Sequence, residues 1–234
     1  MFKLIRFHNY TWQRLTISLF LVSLAFYLFQ AFNGILSSII FLILTMIAFA
    51  VQYDKQTVKR MFPKLKSSYE IQVFNQKKNI SAVTLILLMV LIGYTFMSFL
   101  SMILDILSVK QTNHAGLADI NKIIWSLPYK WVGLIGEELL KYCVFFPLAH
   151  YLNKKYKLII AFILSAFITE TLFGLLHFNM YEWNVVQMIV VVGWSSLVWY
   201  YALYKTESIR STIWIHILYD YIIYIIAILE SISI

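Results

Sequence analysis

An all-α, polytopic transmembrane bundle of about seven spans is the fold that this 234-residue chain predicts, and three observations predict it. The chain is 61% hydrophobic and only 13% charged, with a mean hydropathy of +0.77. A soluble domain carries about 25% charged residues. Apolar runs near 20 residues, the length that crosses about 30 Å of hydrocarbon, recur along the whole chain. Lys and Arg, finally, collect in alternate connections, as they do when positive charge is held on the cytoplasmic side.

Taken in order, the spans are expected at 15–32, 35–51, 80–109, 126–152, 158–178, 185–204 and 211–229. The first is about as long as a full span, and Gln30-Ala-Phe-Asn-Gly34 has no small-x-small cleavage pattern, so it reads as a retained helix and not a secretion signal. Between the second and third lies the longest connection, 52–79, where Met61-Phe-Pro63 and Ile71-Gln-Val-Phe74 sit among lysines. It is expected to be an interfacial segment with its aromatics among headgroups, or else a basic solvated loop. The 110–121 connection reads as a plain connector, and Asp105 before it should reach headgroups. Trp12, Trp125, Trp131, Tyr151 and Trp183 fall near span ends and fit interfacial belts. There is no soluble domain, internal repeat, Gly-rich phosphate loop or low-complexity tract.

Charge orients the bundle. With the N terminus inside, the cytoplasmic pieces collect Lys3, Arg6 and Arg14, the seven basic residues of 55–78, Lys154, Lys155 and Lys157, and Lys205 and Arg210. The outer pieces hold Lys110, Lys122 and Lys130. An odd number of spans and an outer C terminus, 230–234, follow. The net charge of +8 is therefore topological: it would attract anionic lipid headgroups and needs no nucleic acid. Cys143 is the only cysteine, so no intrachain disulfide can form, and it reads as a small packing residue.

Chemistry enters in the last four spans. Glu137 and Glu138 stand side by side in an otherwise apolar stretch, with Lys141 close behind. A charge at the centre of a membrane helix costs roughly 2.5–3.5 kcal/mol on insertion scales, so such residues need partners or a polar cavity. Residues four apart share a helix face, which pairs Phe173 with His177, His216 with Asp220, and Glu137 with Lys141. Singly, either histidine could bond a neighbouring carbonyl, and the glutamates could form a charge pair with Lys141. Glu170, seven residues before His177, could line a cavity, shuttle protons or bond Thr or Tyr on another span. Jointly, two Glu, two His and an Asp are hard to explain as packing.

In this order the motifs resemble the CAAX protease and bacteriocin-processing (CPBP, Abi) family of intramembrane proteases, with E-E-x-x-x-R, F-x-x-x-H and H-x-x-x-N or H-x-x-x-D. The second and third match fully as Phe173-Gly-Leu-Leu-His177 and His216-Ile-Leu-Tyr-Asp220. The first departs: Glu137-Glu138-Leu-Leu-Lys141-Tyr142 offers a basic residue one place early, or Tyr142 at the arginine position. Lysine is a point charge and does not replace a bidentate guanidinium. The resemblance divides the chain into N-terminal membrane helices with a basic cytoplasmic loop, 1–125, and a catalytic helical core, 126–234.

The resemblance implies an intramembrane endopeptidase acting on a membrane-associated peptide or protein, in a multi-pass protein of the bacterial plasma membrane with a cytoplasmic N terminus. Glu137 and His177 would activate a water, Glu138 would hold Lys141 or a supporting group, and His216 with Asp220 would stabilise the oxyanion. An ionised aspartate repels an oxyanion, so Asp220 is better suited to orienting His216 or a metal. Zinc is open: Glu137, His177, His216 and Asp220 are a plausible ligand set, and the same residues can act on water without metal. Two other functions are open, a noncatalytic bacteriocin-immunity or peptide-binding protein and a proton- or ion-coupled carrier. A carrier would be expected to show an inverted repeat. One geometric condition applies. At 1.5 Å per residue His177 lies about 30 Å beyond Lys157, and His216 only about 9 Å beyond Arg210. The two meet only if the fifth span starts late or tilts, or if the sixth is short or broken near Gly193-Trp-Ser-Ser196. On that condition Glu137, His177 and His216 are expected to converge within about 3–6 Å.

Overall fold

The computed structural model describes residues 5, 10–32, 34–73, 76–112, 114–117 and 119–232. Lys3, Arg6, Asn33, Phe74 and the last two residues of the C-terminal segment, all used in the sequence reading, lie outside the described residues. The chain is an all-α bundle, and among the described residues six helices are long and apolar enough to cross a membrane, as expected of a multi-pass membrane protein. The expected 126–152 span is part of a 34-residue helix, Ile120–Asn153, whose five charged residues (Lys122, Lys130, Glu137, Glu138 and Lys141) keep it out of that group of six.

Two compact units make up the chain, 1–62 with 124–169 and 63–123 with 170–234. In the first, α1 (Trp12–Ala31) and α2 (Ile35–Gln52) pack on each other. Their buried positions are mostly small, Ser18, Val22 and Ala25 on α1 and Ser37, Ser38, Thr45 and Ala48 on α2. Such residues let backbones approach where lipid supplies no hydrophobic drive between helices. Phe20, Ile39, Ile43 and Met46 remain exposed, as lipid-facing side chains would be. Gly34 at the turn has φ +83°, a conformation that suits glycine. A short helix follows, α3 (Lys55–Met61), capped by Asp54, whose Oδ1 accepts from the Gln56 and Thr57 amides at 2.8 and 2.9 Å.

α5 (Ile120–Asn153) carries Pro147, which has no amide hydrogen for the Cys143 carbonyl four residues back. The chain supplies a substitute: Gln52 Nε2 donates to the Cys143 carbonyl at 3.0 Å, and the Tyr53 hydroxyl to the Tyr142 carbonyl at 2.8 Å. Gln52 is itself held by the Ser18 hydroxyl at 2.7 Å, so one buried network ties α1, α2 and α5. α6 (Leu158–Leu175) continues from it.

The second unit starts with an antiparallel hairpin, β1 (Ser68–Val73) and β2 (Gln76–Ser81), in register Ser68 to Ser81 and Val73 to Gln76. The connection expected as an interfacial segment or basic loop therefore holds a helix and a hairpin. Its period-2 alternation, Tyr69 and Ile71 inward against Glu70 and Gln72 outward, is what sets the strand. Tyr69 joins a core with Leu85, Ile86, Met89 and Val90 of α4 (Ala82–Ile106) and with Trp199, Ile215 and Tyr219. The latter three lie on α7 (Val185–Thr206) and α8 (Ile209–Ile232).

α7 is not a uniform helix. After Val185–Gln187 it is wound as a π-helix over Met188–Gly193 and as a 3-10 helix over Trp194–Val198, returning to α at Trp199–Thr206. A break at Gly193-Trp-Ser-Ser196 was one of the alternatives that the depths of the two histidines left open. Its cause is a close crossing with the end of α6. A Cβ on Gly174 would lie 2.2 Å from the Met188 carbonyl oxygen, and one on Gly193 would lie 2.3 Å from that of Glu170.

Candidate active site

In the first unit, the two adjacent glutamates are treated differently. Glu138 is fully buried and ion-paired with Lys141, one turn on and 2% exposed. Glu137 is half-buried. Lys141 thus does the pairing from one place before the arginine position of the motif, while Tyr142 packs its buried ring against Phe145 and Phe146. Gly136 makes room beside the pair, since a Cβ there would lie 2.7 Å from the Phe41 ring.

The second unit holds His177, His216 and Asp220. α6 ends at Leu175, so His177 stands in the turns that follow it. Its Nδ1 is 3.1 Å from the Phe173 carbonyl oxygen. A carbonyl only accepts, so Nδ1 carries the hydrogen, and in the neutral ring Nε2 is the basic nitrogen. The Phe173 ring is the spacer of the site, 4.9 Å from the His177 ring and 6.0 Å from that of His216. His216 is 4% exposed, its ring 5.1 Å from that of Trp199. Gly93 of α4 admits the indole, because a Cβ there would lie 2.8 Å from Trp199 Nε1. Asp220 Oδ1 lies 3.9 Å from His216 Nε2.

These three side chains line one cavity of about 230 Å³, with Phe173, Tyr181 and Trp199 among its walls. The 110–121 connection, expected to do nothing but connect, contributes His114 and Leu117 to its lining. It is fastened there: the Thr112 amide donates to Gln187 Oε1 at 2.8 Å, Gln187 Nε2 to the Thr112 carbonyl at 3.0 Å, Asn184 Nδ2 to the Lys110 carbonyl at 2.6 Å and the Ala115 amide to the Met180 carbonyl at 2.9 Å. His114, Tyr181, Trp199 and Tyr219 were not singled out from sequence. Tyr219 had a signal, standing three residues after His216, whereas His114 lies in a connector with no periodic pattern.

Glu170 is fully buried, and its Oε2 accepts from the Ser196 hydroxyl at 2.5 Å. Trp194 Nε1 donates to the Thr171 hydroxyl at 3.0 Å. Both bonds lace the end of α6 to the irregular stretch of α7, and Ser196 is a hydroxyl partner of Glu170 on another span. Asp105, expected among headgroups, accepts from Gln111 Nε2 at 2.6 Å.

The Tyr181 hydroxyl, in the turn outside the spans, is pushed well above the usual phenol range, first by burial and then by the negative charge of Asp220. Among the described residues no three of His, Cys, Asp and Glu are grouped to hold a metal.

Residues 119–222, a little under half of the chain, match the family described as type II CAAX prenyl endopeptidase Rce1-like. That stretch contains all three motifs. No curated protein and no solved structure gave a match. Over residues 119–222 the chain is therefore similar to the Rce1-like family of type II CAAX prenyl endopeptidases.

Proposed function

We propose that the chain is an intramembrane endopeptidase that hydrolyses a peptide bond in a membrane-associated peptide or protein, with Glu137 and His177 activating the water. The observation that carries this reading is the family match, whose second and third motifs deliver His177, His216 and Asp220 to one cavity. A water has two hydrogens to place. His177 Nε2, made the basic nitrogen by the Phe173 bond, accepts one and orients the molecule. Glu137 takes the other as the oxygen adds to the scissile carbonyl. That proton passes to the departing amine as the C–N bond breaks, and the hydrogen left on the product acid then moves to the amine, so a carboxylate and an ammonium group remain. His216 donates to the oxyanion that forms between these steps, and Asp220 orients His216 from one turn away.

The test is cleavage of a membrane peptide library by purified protein in detergent, comparing the native chain with Glu137→Gln and His177→Ala at matched folding. Both variants are expected to lose cleavage by at least about 100-fold, the usual scale for removing a general acid or base. Equal cutting by either variant overturns the role given to that residue, and a native protein that cuts nothing leaves a peptide-binding or immunity role.

A further inference from the structure

Asp220 is a carboxylate held loosely. Among the described residues its ion-pair and hydrogen-bond contacts are both long, 3.9 Å from Oδ1 to His216 Nε2 and 3.4 Å from the Tyr224 hydroxyl to Oδ2. A well-engaged carboxylate accepts at about 2.7–2.9 Å from a charged nitrogen. The side chain keeps 22% of its surface accessible while lining the cavity. The contrast with Glu138, closed off by Lys141, is one of kind.

The surroundings of Asp220 have a definite chemistry. Rings of Phe173, Tyr181, Trp199, Tyr219 and Tyr224 line the same cavity, and none of the lining residues is Lys or Arg. A carboxylate within low-dielectric walls is costly until a donor reaches it. Aromatic faces attract cations and add to that attraction when the site is dry. An anionic group would meet Asp220 without a fixed cation to offset it. A neutral apolar group would fill the cavity and leave the carboxylate unmatched.

We propose that this cavity takes a basic side chain of the substrate, Lys or Arg, with Asp220 Oδ2 as its anionic partner and the aromatic rings as its walls. Asp220 is then a specificity-determining residue, choosing the substrate as well as orienting His216. The inference rests on the endopeptidase reading, since it names the substrate class of that site. The raised Tyr181 phenol accords with a negative charge facing the turn.

The experiment uses peptides identical except for one lysine or its uncharged isostere norleucine, scanned through each position. Each pair is also made with a reduced, uncleavable amide for calorimetric titration of the whole protein in detergent. At one position the native chain is expected to favour lysine by about tenfold or more in kcat/KM, and in Kd for the uncleavable pair. Asp220→Asn, which writes the other form of the third motif, is expected to reduce that preference below about threefold, and Asp220→Glu to keep it. No lysine preference in the native protein, or a preference that survives in Asp220→Asn, overturns the proposal. A native chain that cuts no peptide but still binds the lysine form more tightly, through Asp220, removes the endopeptidase reading alone.

Discussion

Glu138 in the first unit and Asp220 in the second are both carboxylates on apolar helices, and the chain handles them in opposite ways. Glu138 has no accessible surface and a lysine partner on its own helix. Asp220 has accessible surface and only distant partners. The first arrangement spends its charge on holding a helix in one conformation, and the second keeps it for something that arrives. An intramembrane carboxylate is therefore read by how completely the fold engages it, and the burial of the helix that bears it says little.

The comparison breaks most severely at Lys141. Lys141→Met leaves Glu138 buried beside an uncharged side chain, and removing one partner of a buried pair costs about 3–5 kcal/mol. The variant is expected to lose that much in denaturant unfolding in detergent, while Glu138→Gln with Lys141→Met recovers most of it. Asp220→Asn, with no close partner to strand, is expected to unfold within about 0.5 kcal/mol of the native chain. Equal losses at the two sites would erase the distinction.

Gly193 comes next. In Gly193→Ala the added carbon would sit 2.3 Å from the Glu170 carbonyl oxygen, which is backbone and has little freedom to retreat. Overpacking of this kind costs about 1–3 kcal/mol, and here it would also shift the Glu170 to Ser196 bond beside the cavity. A fall in cleavage larger than the fall in stability is expected, because the broken stretch of α7 supplies Ser196 and leads into Trp199. Unchanged stability and cleavage would mean that the close crossing is not what shapes α7.

How far these features were legible in the sequence follows from the range of the signals. Apolar length and charge fix the helices, and spacing of four fixes which motif residues share a face. The break in α7 was legible as one of the ways in which His177 and His216 could meet, beside a late start or tilt of the fifth span, and Gly193-Trp-Ser-Ser196 was where it was expected. Other features depend on which segments the fold places together. That Ser196 bonds Glu170 was not legible, because the two lie 26 residues apart on different elements. The hairpin was masked because Tyr69 and Ile71 alternate over only a few residues among lysines. His114 was invisible, because a connector has no period, and its position at the cavity depends on Gln187 and Asn184, some 70 residues away.

Within the first unit, the Pro147 substitution network sharpens the same lesson. Gln52→Leu leaves the Cys143 carbonyl with neither its helix donor nor the amide that replaces it, which is expected to cost about 1–3 kcal/mol. In a Pro147→Ala background the backbone donor returns, so the same Gln52→Leu change should cost less. A double-mutant cycle with no coupling would show that Gln52 serves Tyr53 and Ser18 and not the proline gap.

The smallest effect is expected at Asp119, at the start of α5. Its Oδ1 accepts from the Lys122 amide at 3.2 Å, its carbonyl accepts from the Ile123 amide at 3.1 Å, and Lys122 Nζ is 3.4 Å from Oδ2. The Lys122 amide bond, and then the Lys122 ammonium, hold this carboxyl below the usual aspartate range, although the group is open to solvent. A carboxyl whose folded pKa is depressed binds fewer protons in the native state than in the unfolded one. Its contribution is therefore complete above about pH 3.9, the unfolded value, and is lost as pH falls through the lower native value. The difference in melting temperature between native protein and Asp119→Asn should accordingly be flat from neutral pH down to about 4 and shrink below it. Added salt should reduce the Lys122 part of it and spare the amide bond. A difference that grew on acidification would carry the wrong sign for a carboxylate cap and would move the origin of the effect away from Asp119.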